Sequence, residues 1–290
     1  MNRRNFIFKS MLLSTAIGTP IVTSAREIFN HKPSFLNNFG IQLYSVKDEM
    51  ENDPKATLKK LASFGYKNLE GYESNLGLFW GMSNLELKKY LKSLDLKMIA
   101  SHCNETEDLE SFKFKCSQAA EIGMDYLICP WIGGERNKET FLKHAEGFNK
   151  CGQIAKTNGI KFGFHNHDYT FKKDKGVFLQ DVLMENTDSE LVDFEMDIYW
   201  VVVSGEDPIK WFDKHPNRFK YCHVKDYLKI GNSHESCTLG KGTIDFQKII
   251  SHGSKKGLET FISEQESFRN TNPLEAAKNN LNYMKGLNLF

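Results

Sequence analysis

Apolar and polar positions along this chain switch between two periods. From residue 39 onward, short runs rich in Phe, Ile, Val and Leu alternate with longer stretches whose apolar residues recur every three or four positions. The first kind reads as a strand, the second as an amphipathic helix. Strands are expected at 39–46, 68–72, 97–103, 126–131, 161–167, 191–200, 221–226 and 260–266. Helices are expected at 53–64, 83–94, 105–122, 138–157, 177–186, 208–214, 246–255 and 273–287. Local punctuation agrees. Asp53 stands before Pro54 as a cap before a first helical turn, and Ser83 with Glu86 forms a capping-box pattern. Gly65, Gly123, Gly159 and Gly257 follow helices, where a left-handed residue ends the last turn. Eight consecutive strand–helix units predict an α/β fold, a (β/α)8 TIM barrel over 39–290 as a single domain. An open doubly wound sheet would want a glycine-rich phosphate loop after an early strand, and the sequence has none.

The first 25 residues break this rhythm. Arg3 and Arg4 precede an apolar stretch at 11–17 and small residues at 23–25, the layout of an export signal. The paired arginines suggest the twin-arginine route, and the expected location is periplasmic. The apolar stretch is too short to span a bilayer, so no membrane anchor is expected. Removing Arg3, Arg4 and Lys9 takes the formal charge from +1 to −2. A chain without basic excess lacks the footprint that a nucleic-acid partner needs. None of the six cysteines forms a CxxC pair. Cys103, Cys129 and Cys222 fall inside expected strands, which favours buried thiols over disulfides.

In a barrel of this kind, chemistry gathers at the C-terminal ends of the strands, and side chains two apart share a face. Strand five ends in FGFHNHD, so His165 and His167 face the axis while Phe162 and Phe164 face the helices. In strand six Glu195 and Asp197 face inward, and in strand seven His223 and Lys225. In strand eight Glu264 and Glu266 share the face of Ile262. Four neighbouring strands thus deliver His, Asp or Glu to one end. Crowded buried carboxylates are costly unless they hold a cation or a proton. His165, Asp197, His223 and Glu264 are the expected ligands of one divalent metal ion: Mn, Zn, Co, Fe or Mg. Two imidazoles among the donors suit the transition ions better than Mg or Ca.

The segments GIQLYSVKDEM, GFHNHDYTF, MDIYW, HVKD and SEQE, in this order, resemble the xylose-isomerase-like barrel family of sugar phosphate isomerases/epimerases and inosose dehydratases. The resemblance runs over about residues 39–287. It implies one metal held by an acidic residue, Asp, His and Glu from strands five to eight. Asp197, His223 and Glu264 match the last three. His165 stands where the epimerases usually have glutamate, and a histidine there is familiar from the inosose-dehydratase-like branch. Trp200 stands where the ketose epimerases usually carry a substrate-binding histidine. Both departures point away from an epimerase substrate.

The chemistry expected is proton abstraction next to a carbonyl on a sugar or keto-sugar, with a metal-stabilised enediolate. Candidate bases are His167, Glu266, Glu70 and His102, and Lys225 could hold a substrate oxygen. His102, Tyr44, Trp131 and Trp200 are expected to bind substrate, and Tyr72 and Tyr169 also fall near strand ends, where sugar faces stack on rings. Gln42 and Asn166 are further hydrogen-bonding candidates, although Asn166 is expected to face the helices. The loop Leu239-Gly240-Lys241-Gly242 reads as a tight turn and, more weakly, as a phosphate cradle. The leading expectation is a sugar isomerase or epimerase. The alternative is a lyase, either an inosose-dehydratase-like enzyme or an eliminase of 3-keto-glycosides. An abasic-DNA nuclease is opposed by the charge. A non-catalytic sugar-binding module is the bland reading, and a homodimer is left open.

Overall fold

The structure, a computed structural model, describes residues 38–103 and 108–289. The expected export segment at 1–25 lies outside the described residues, as does the expected start of the third helix at 105. Eight parallel strands close into a barrel: β1 Phe39–Gln42, β2 Asn68–Tyr72, β3 Lys97–His102, β4 Tyr126–Cys129, β5 Lys161–His165, β6 Val192–Asp197, β7 Phe219–Val224 and β8 Thr260–Ser263. Strand β8 pairs back onto β1, with Phe39 level with Phe261 and Ile41 with Ser263. The connecting helices are α1 Pro54–Phe64, α2 Asn84–Ser93, α3 Leu109–Ile122, α4 Lys138–Thr157, α5 Leu179–Glu185, α6 Pro208–Lys214, α7 Phe246–Ser254 and α8 Pro273–Lys285. This is the expected TIM barrel.

The helix ends form where their caps stand. The Asp53 carboxylate accepts the Ala56 amide at 2.9 Å, and the Ser83 hydroxyl accepts that of Glu86 at 3.3 Å. Gly65 and Gly123 take φ of 103° and 90° to end α1 and α3, a conformation that costs other residues steric strain. Between strands and helices lies the main apolar core, in which Phe162, Phe164, Phe194 and Phe219 point outward against Phe112, Phe148 and Phe212. Inside the barrel a smaller cluster, Ala100, Tyr126, Ile128, Tyr221 and Ile262, plugs the lower half. A Cβ at Gly40 would press on Ile262 and the Asn68 carbonyl, so β1 can approach its neighbours there only as glycine. Filled below, the barrel is left to do chemistry at its upper end.

Several strands stop earlier than their apolar runs suggest. Strand β1 ends at Gln42 and passes through a single turn into a short helix at Lys47–Asn52. Strand β6 ends at Asp197, and the apolar run beyond it is a helix, Ile198–Val203. The reason is Asp197 itself, whose Oδ1 accepts the Trp200 amide at 3.1 Å and caps that helix. Strand β7 begins two residues before the expected start, and an antiparallel hairpin at 226–237 follows it. All six cysteines are buried and none is in a disulfide. Among the described residues no helix is long and apolar enough to cross a membrane.

Candidate functional site

The upper end of the barrel holds two stacked layers of polar side chains. In the lower layer, Glu195 Oε2 lies 3.0 Å from His165 Nδ1, 3.0 Å from His102 Nε2 and 3.3 Å from His223 Nε2. Glu70 Oε2 lies 2.6 Å from His223 Nε2 and accepts from Gln42 Nε2 at 3.0 Å. In the upper layer the second nitrogens of the same imidazoles reappear. His223 Nδ1 is 3.1 Å from Glu264 Oε2, and His165 Nε2 is 3.8 Å from Asp197 Oδ2. Lys225 joins this layer, 2.9 Å from Glu264, 3.1 Å from Glu266 and 3.8 Å from Asp197. Each of His165 and His223 therefore has a carboxylate behind one nitrogen, and its other nitrogen is turned to the upper-layer carboxylates, an arrangement that fixes the tautomer and aim of an imidazole.

Backbone clamps hold the layers. The Asn166 side chain accepts the Asp197 amide at 3.1 Å and donates to the Asp197 carbonyl at 3.2 Å, tying β5 to β6. Asp226 collects four amides, those of Tyr227, Gly240, Gly242 and Ile244, at 2.9 to 3.2 Å. A Cβ on Gly242 would overlap that carboxylate, so the loop can wrap it only as glycine. Ser236, at the end of the hairpin, accepts the Glu266 and Ser267 amides at 2.8 and 2.9 Å and thereby sets the rim beside Lys225.

The electrostatics show an excess of negative charge. Glu70, Glu195, Asp197 and Glu264 are all buried, against one buried lysine among these groups. Burial raises Asp197 to about 7, with Lys225 pulling down and Glu264 pushing up. Burial and then the neighbouring Glu195 raise Glu70 to about 7. Glu195 and Glu264 are held well below the usual range in spite of burial, Glu195 by His223 and the other two imidazoles, Glu264 by Lys225 and His223. Burial opposes the charge on His223 and Lys225, yet the surrounding carboxylates hold both well above their usual values. His165 drops to about 4, through burial and then the nearby His223.

Two groups of donors are close enough to share an ion: His102, His165, Glu195 and His223 below, and Asp197, His223 and Glu264 above. In the lower group one Glu195 oxygen already satisfies three imidazole nitrogens. In the upper group Asp197 Oδ2 is buried with no hydrogen-bond partner, an expensive state for a carboxylate oxygen. Glu264 and His165 also line the mouth cavity, whereas Glu195 does not. The residues present fit a divalent ion in the upper layer, where Asp197, His223 and Glu264 would hold it, and His165 Nε2, 3.8 Å from Asp197 Oδ2, would be a further donor.

The mouth cavity, about 290 Å³, is lined by Tyr44, Tyr72, Trp131, His102, His167 and Glu266 among others. His167 stacks flat against Tyr169, with ring centres 5.8 Å apart, and packs near Trp131 and Trp200. Its Nδ1 is buried without a hydrogen-bond partner. Burial, then the nearby His165 and Lys225, push its pKa to about 2, so the ring stays neutral.

Three expectations are corrected by these positions. Glu70, a candidate base, is sealed beneath His223 and does not line the cavity, because barrel closure sets it against that ring. Trp200 sits on the short helix after β6, under Lys225 and beside His167, and does not line the cavity either. Gln42 is fully buried and serves Glu70 and the Tyr44 amide, away from any substrate. His102 lines the cavity but its Nε2 is already engaged by Glu195. Tyr44, Trp131, Glu266 and His167 stand where expected, at the mouth. Sequence reasoning gave no role to Glu195, although its inward face was legible, and none to Glu73, which lines the cavity and pairs with Lys115 at 2.7 Å.

The sequence pattern of the xylose isomerase-like TIM barrel family matches residues 58–287. The chain belongs to that family. It is 32% identical over 167 residues to an inosose dehydratase of Clostridium beijerinckii, covering 51% of this chain and 55% of that protein. The chain thus spans about half the length of the curated relatives it matches. A sugar phosphate isomerase/epimerase structure from Parabacteroides distasonis is 28% identical, with a TM-score of 0.73, over 87% of this chain and 94% of that one. The IolI protein, solved with a bound zinc atom, shares the fold at 14% identity and a TM-score of 0.68, over 86% and 97% of the two chains.

Proposed function

We propose that this chain is a metal-dependent enzyme that removes a proton beside the carbonyl of a sugar or keto-sugar. The observation that carries the reading is Asp197 Oδ2, buried without a hydrogen-bond partner beside His223 and Glu264, with His165 and Lys225 no closer than 3.8 Å. A divalent ion on Asp197, His223, Glu264 and His165 would supply Lewis-acid chemistry at a carbonyl oxygen. The zinc bound by the IolI protein supports that assignment, and the nitrogen donors favour a transition ion.

The chain's own groups then divide the work. His167 lines the cavity and has a nitrogen without a hydrogen-bond partner. Burial holds the free ring near 2, so as the base that takes the carbon-bound proton it draws its proton affinity from the negative charge that develops on the substrate beside it. Lys225 keeps its charge and lies beside the donor set, where it steadies negative charge growing on a substrate oxygen. Glu266, at the cavity rim and 40% exposed, can exchange protons with solvent.

Two outcomes follow from the same first step. Returning the proton to another position gives an isomerase or epimerase, the activity named for the Parabacteroides distasonis relative. Expelling a neighbouring oxygen as water or an alcohol, with its proton drawn from solvent at the open rim beside Glu266, gives a lyase, either a dehydratase or an eliminase of keto-glycosides. The lyase reading is favoured by the inosose dehydratase relatives and by His165, which leaves the upper donor layer without a carboxylate on β5. The basic and apolar pattern of residues 1–25 supports an exported, periplasmic enzyme.

The test incubates metal-loaded protein with keto-sugars in deuterated water. Deuterium uptake with loss of water or alcohol supports the lyase, and uptake without loss supports the isomerase. No metal-dependent uptake sinks the proposal. His167→Ala is expected to slow uptake about 100-fold or more at unchanged metal content.

A further inference from the structure

The mouth cavity is polar on the side of β5 and β8 and carries its aromatic rings, with Glu73 and His102 among them, on the side of β1 to β4. His165, Glu264 and Glu266 approach from β5 and β8, while Tyr44, Tyr72, Pro130 and Trp131 approach from β1, β2 and β4. Its volume of about 290 Å³ falls at the lower edge of small-molecule sites. That is room for a single sugar ring.

Two aromatic rings extend past this cavity into solvent. Tyr44 is 40% exposed and Trp131 is 51% exposed. Neither hangs loose. Trp131 meets Tyr169 edge-on at 4.7 Å and carries the Arg136 guanidinium 5.1 Å above it. Tyr44 meets Tyr72 edge-on at 5.4 Å and carries the Lys47 ammonium at 4.7 Å. Rings fixed by packing yet open to water are surfaces pre-organised for a ligand. Strands β1 and β4 stand three places apart round the barrel, so the two rings flank the opening.

The charge of the cavity restricts the ligand further. Among the described residues no lysine or arginine lines it, whereas Glu73, Glu264 and Glu266 do. Lys225 is held by Glu264 and Glu266, and Arg136 donates to the Ile132 and Gly133 carbonyls. The glycine loop at 239–242, the one stretch resembling a phosphate cradle, has its Gly240 and Gly242 amides taken by Asp226.

We infer that the mouth takes an uncharged glycoside, with one sugar ring in the cavity and a second ring, sugar or aryl, between Tyr44 and Trp131. The inner ring rests on the function proposed above; the outer ring and the exclusion of phosphate esters go beyond it. The test is calorimetric titration of the full chain, loaded with manganese or zinc, using glucose, cellobiose, phenyl β-glucoside and glucose 6-phosphate. At least one of the two-ring probes is expected to bind about tenfold or more tighter than glucose, and glucose 6-phosphate weaker than glucose. A preference for cellobiose marks the outer ring as sugar, and one for phenyl glucoside marks it as aryl. In Trp131→Ala and Tyr44→Ala the preference is expected to fall toward unity at wild-type metal content. Equal binding of glucose and both two-ring probes overturns the inference. So does a preference that survives both substitutions, or a phosphate ester that binds better than glucose. If metal binds but none of the four sugars does, the inference is overturned, while the proposed function stands or falls separately on metal-dependent deuterium uptake by keto-sugars.

Discussion

The two halves of the barrel contribute different things to the same few ångströms. Strands β5 to β8 and the residues just beyond them carry His165, Glu264 and Glu266, which line the mouth, and Asp197, His223 and Lys225, buried directly against them. Strands β1 to β4 carry Gln42, Glu70 and His102, which pass hydrogen bonds into the lower layer, and lead into the rings of Tyr44, Tyr72 and Trp131. One half holds the donors together with Glu195, which backs their imidazoles from β6, and the other adds Gln42, Glu70 and His102 to that support and builds the wall. The lesson is that a charged residue at a strand end is not thereby a catalytic group. Glu70 and Glu264 both contact His223, at 2.6 and 3.1 Å, but through opposite ring nitrogens. Only the nitrogen on the Glu264 side shares the layer of the unpartnered Asp197 oxygen.

Breaking the donor half has the largest expected effect. Glu264→Gln keeps the shape but loses the charge that faces both His223 Nδ1 and Lys225. Bound metal, measured per protein by elemental analysis, is expected to fall to a small fraction of wild type. Turnover is expected to fall about 1000-fold or more. Normal metal content in this variant would remove Glu264 from the ligands and with it the division between the halves.

Breaking the orienting half costs less. Glu70→Gln keeps a hydrogen-bond partner for His223 Nε2 but gives up the carboxylate that raises the basicity of the ring. Metal affinity, measured by competition with a chelator, is expected to weaken about 10- to 100-fold, with the donor set still filled at saturating metal. A loss as severe as that of Glu264→Gln would put Glu70 among the ligands, and no loss would leave it as packing.

The donor half was the more legible in the sequence, for a physical reason. Alternation along a strand is local, so the inward faces of His165, Asp197, His223 and Glu264 follow from their neighbours Phe164, Met196, Cys222 and the inward Ile262. The work of Glu70 depends on a contact across 153 residues that exists only once the barrel closes. The run from Ile198 to Val203 is apolar and rich in valine, which reads as strand, yet one capping carboxylate at Asp197 turns it into a helix and carries Trp200 away from the mouth. Asn166 is expected from alternation to face the helices rather than a substrate, and its buried side chain clamps the backbone of Asp197. The anion that fills the glycine loop, Asp226, lies 14 and 16 residues before Gly240 and Gly242, a spacing with no periodic signal.

The smallest expected effect separates the inside of the donor half from its outside. Over β5 and β6, helix α5 presents Asp181 to Lys214 and His215 at the end of α6, with His215 Nε2 2.9 Å from the carboxylate. Burial alone would raise the Asp181 pKa, but the hydrogen bonds from His215 and Lys214 hold it below the usual range. A carboxylate whose folded pKa is depressed stabilises the fold above its unfolded pKa of about 4, and the contribution disappears as pH falls through the folded value. Asp181→Asn is therefore expected to cost about 1 kcal/mol at pH 7 and less at a pH low enough to protonate the folded carboxylate, measured by urea unfolding at pH 7 and at the lowest pH where the fold persists. Because this cluster lies outside the barrel wall, metal affinity should stay at wild type. If affinity falls with the stability, the outer helices help aim the donors, and the orienting role extends beyond the barrel strands. If the cost is the same at both pH values, the interaction is packing rather than charge.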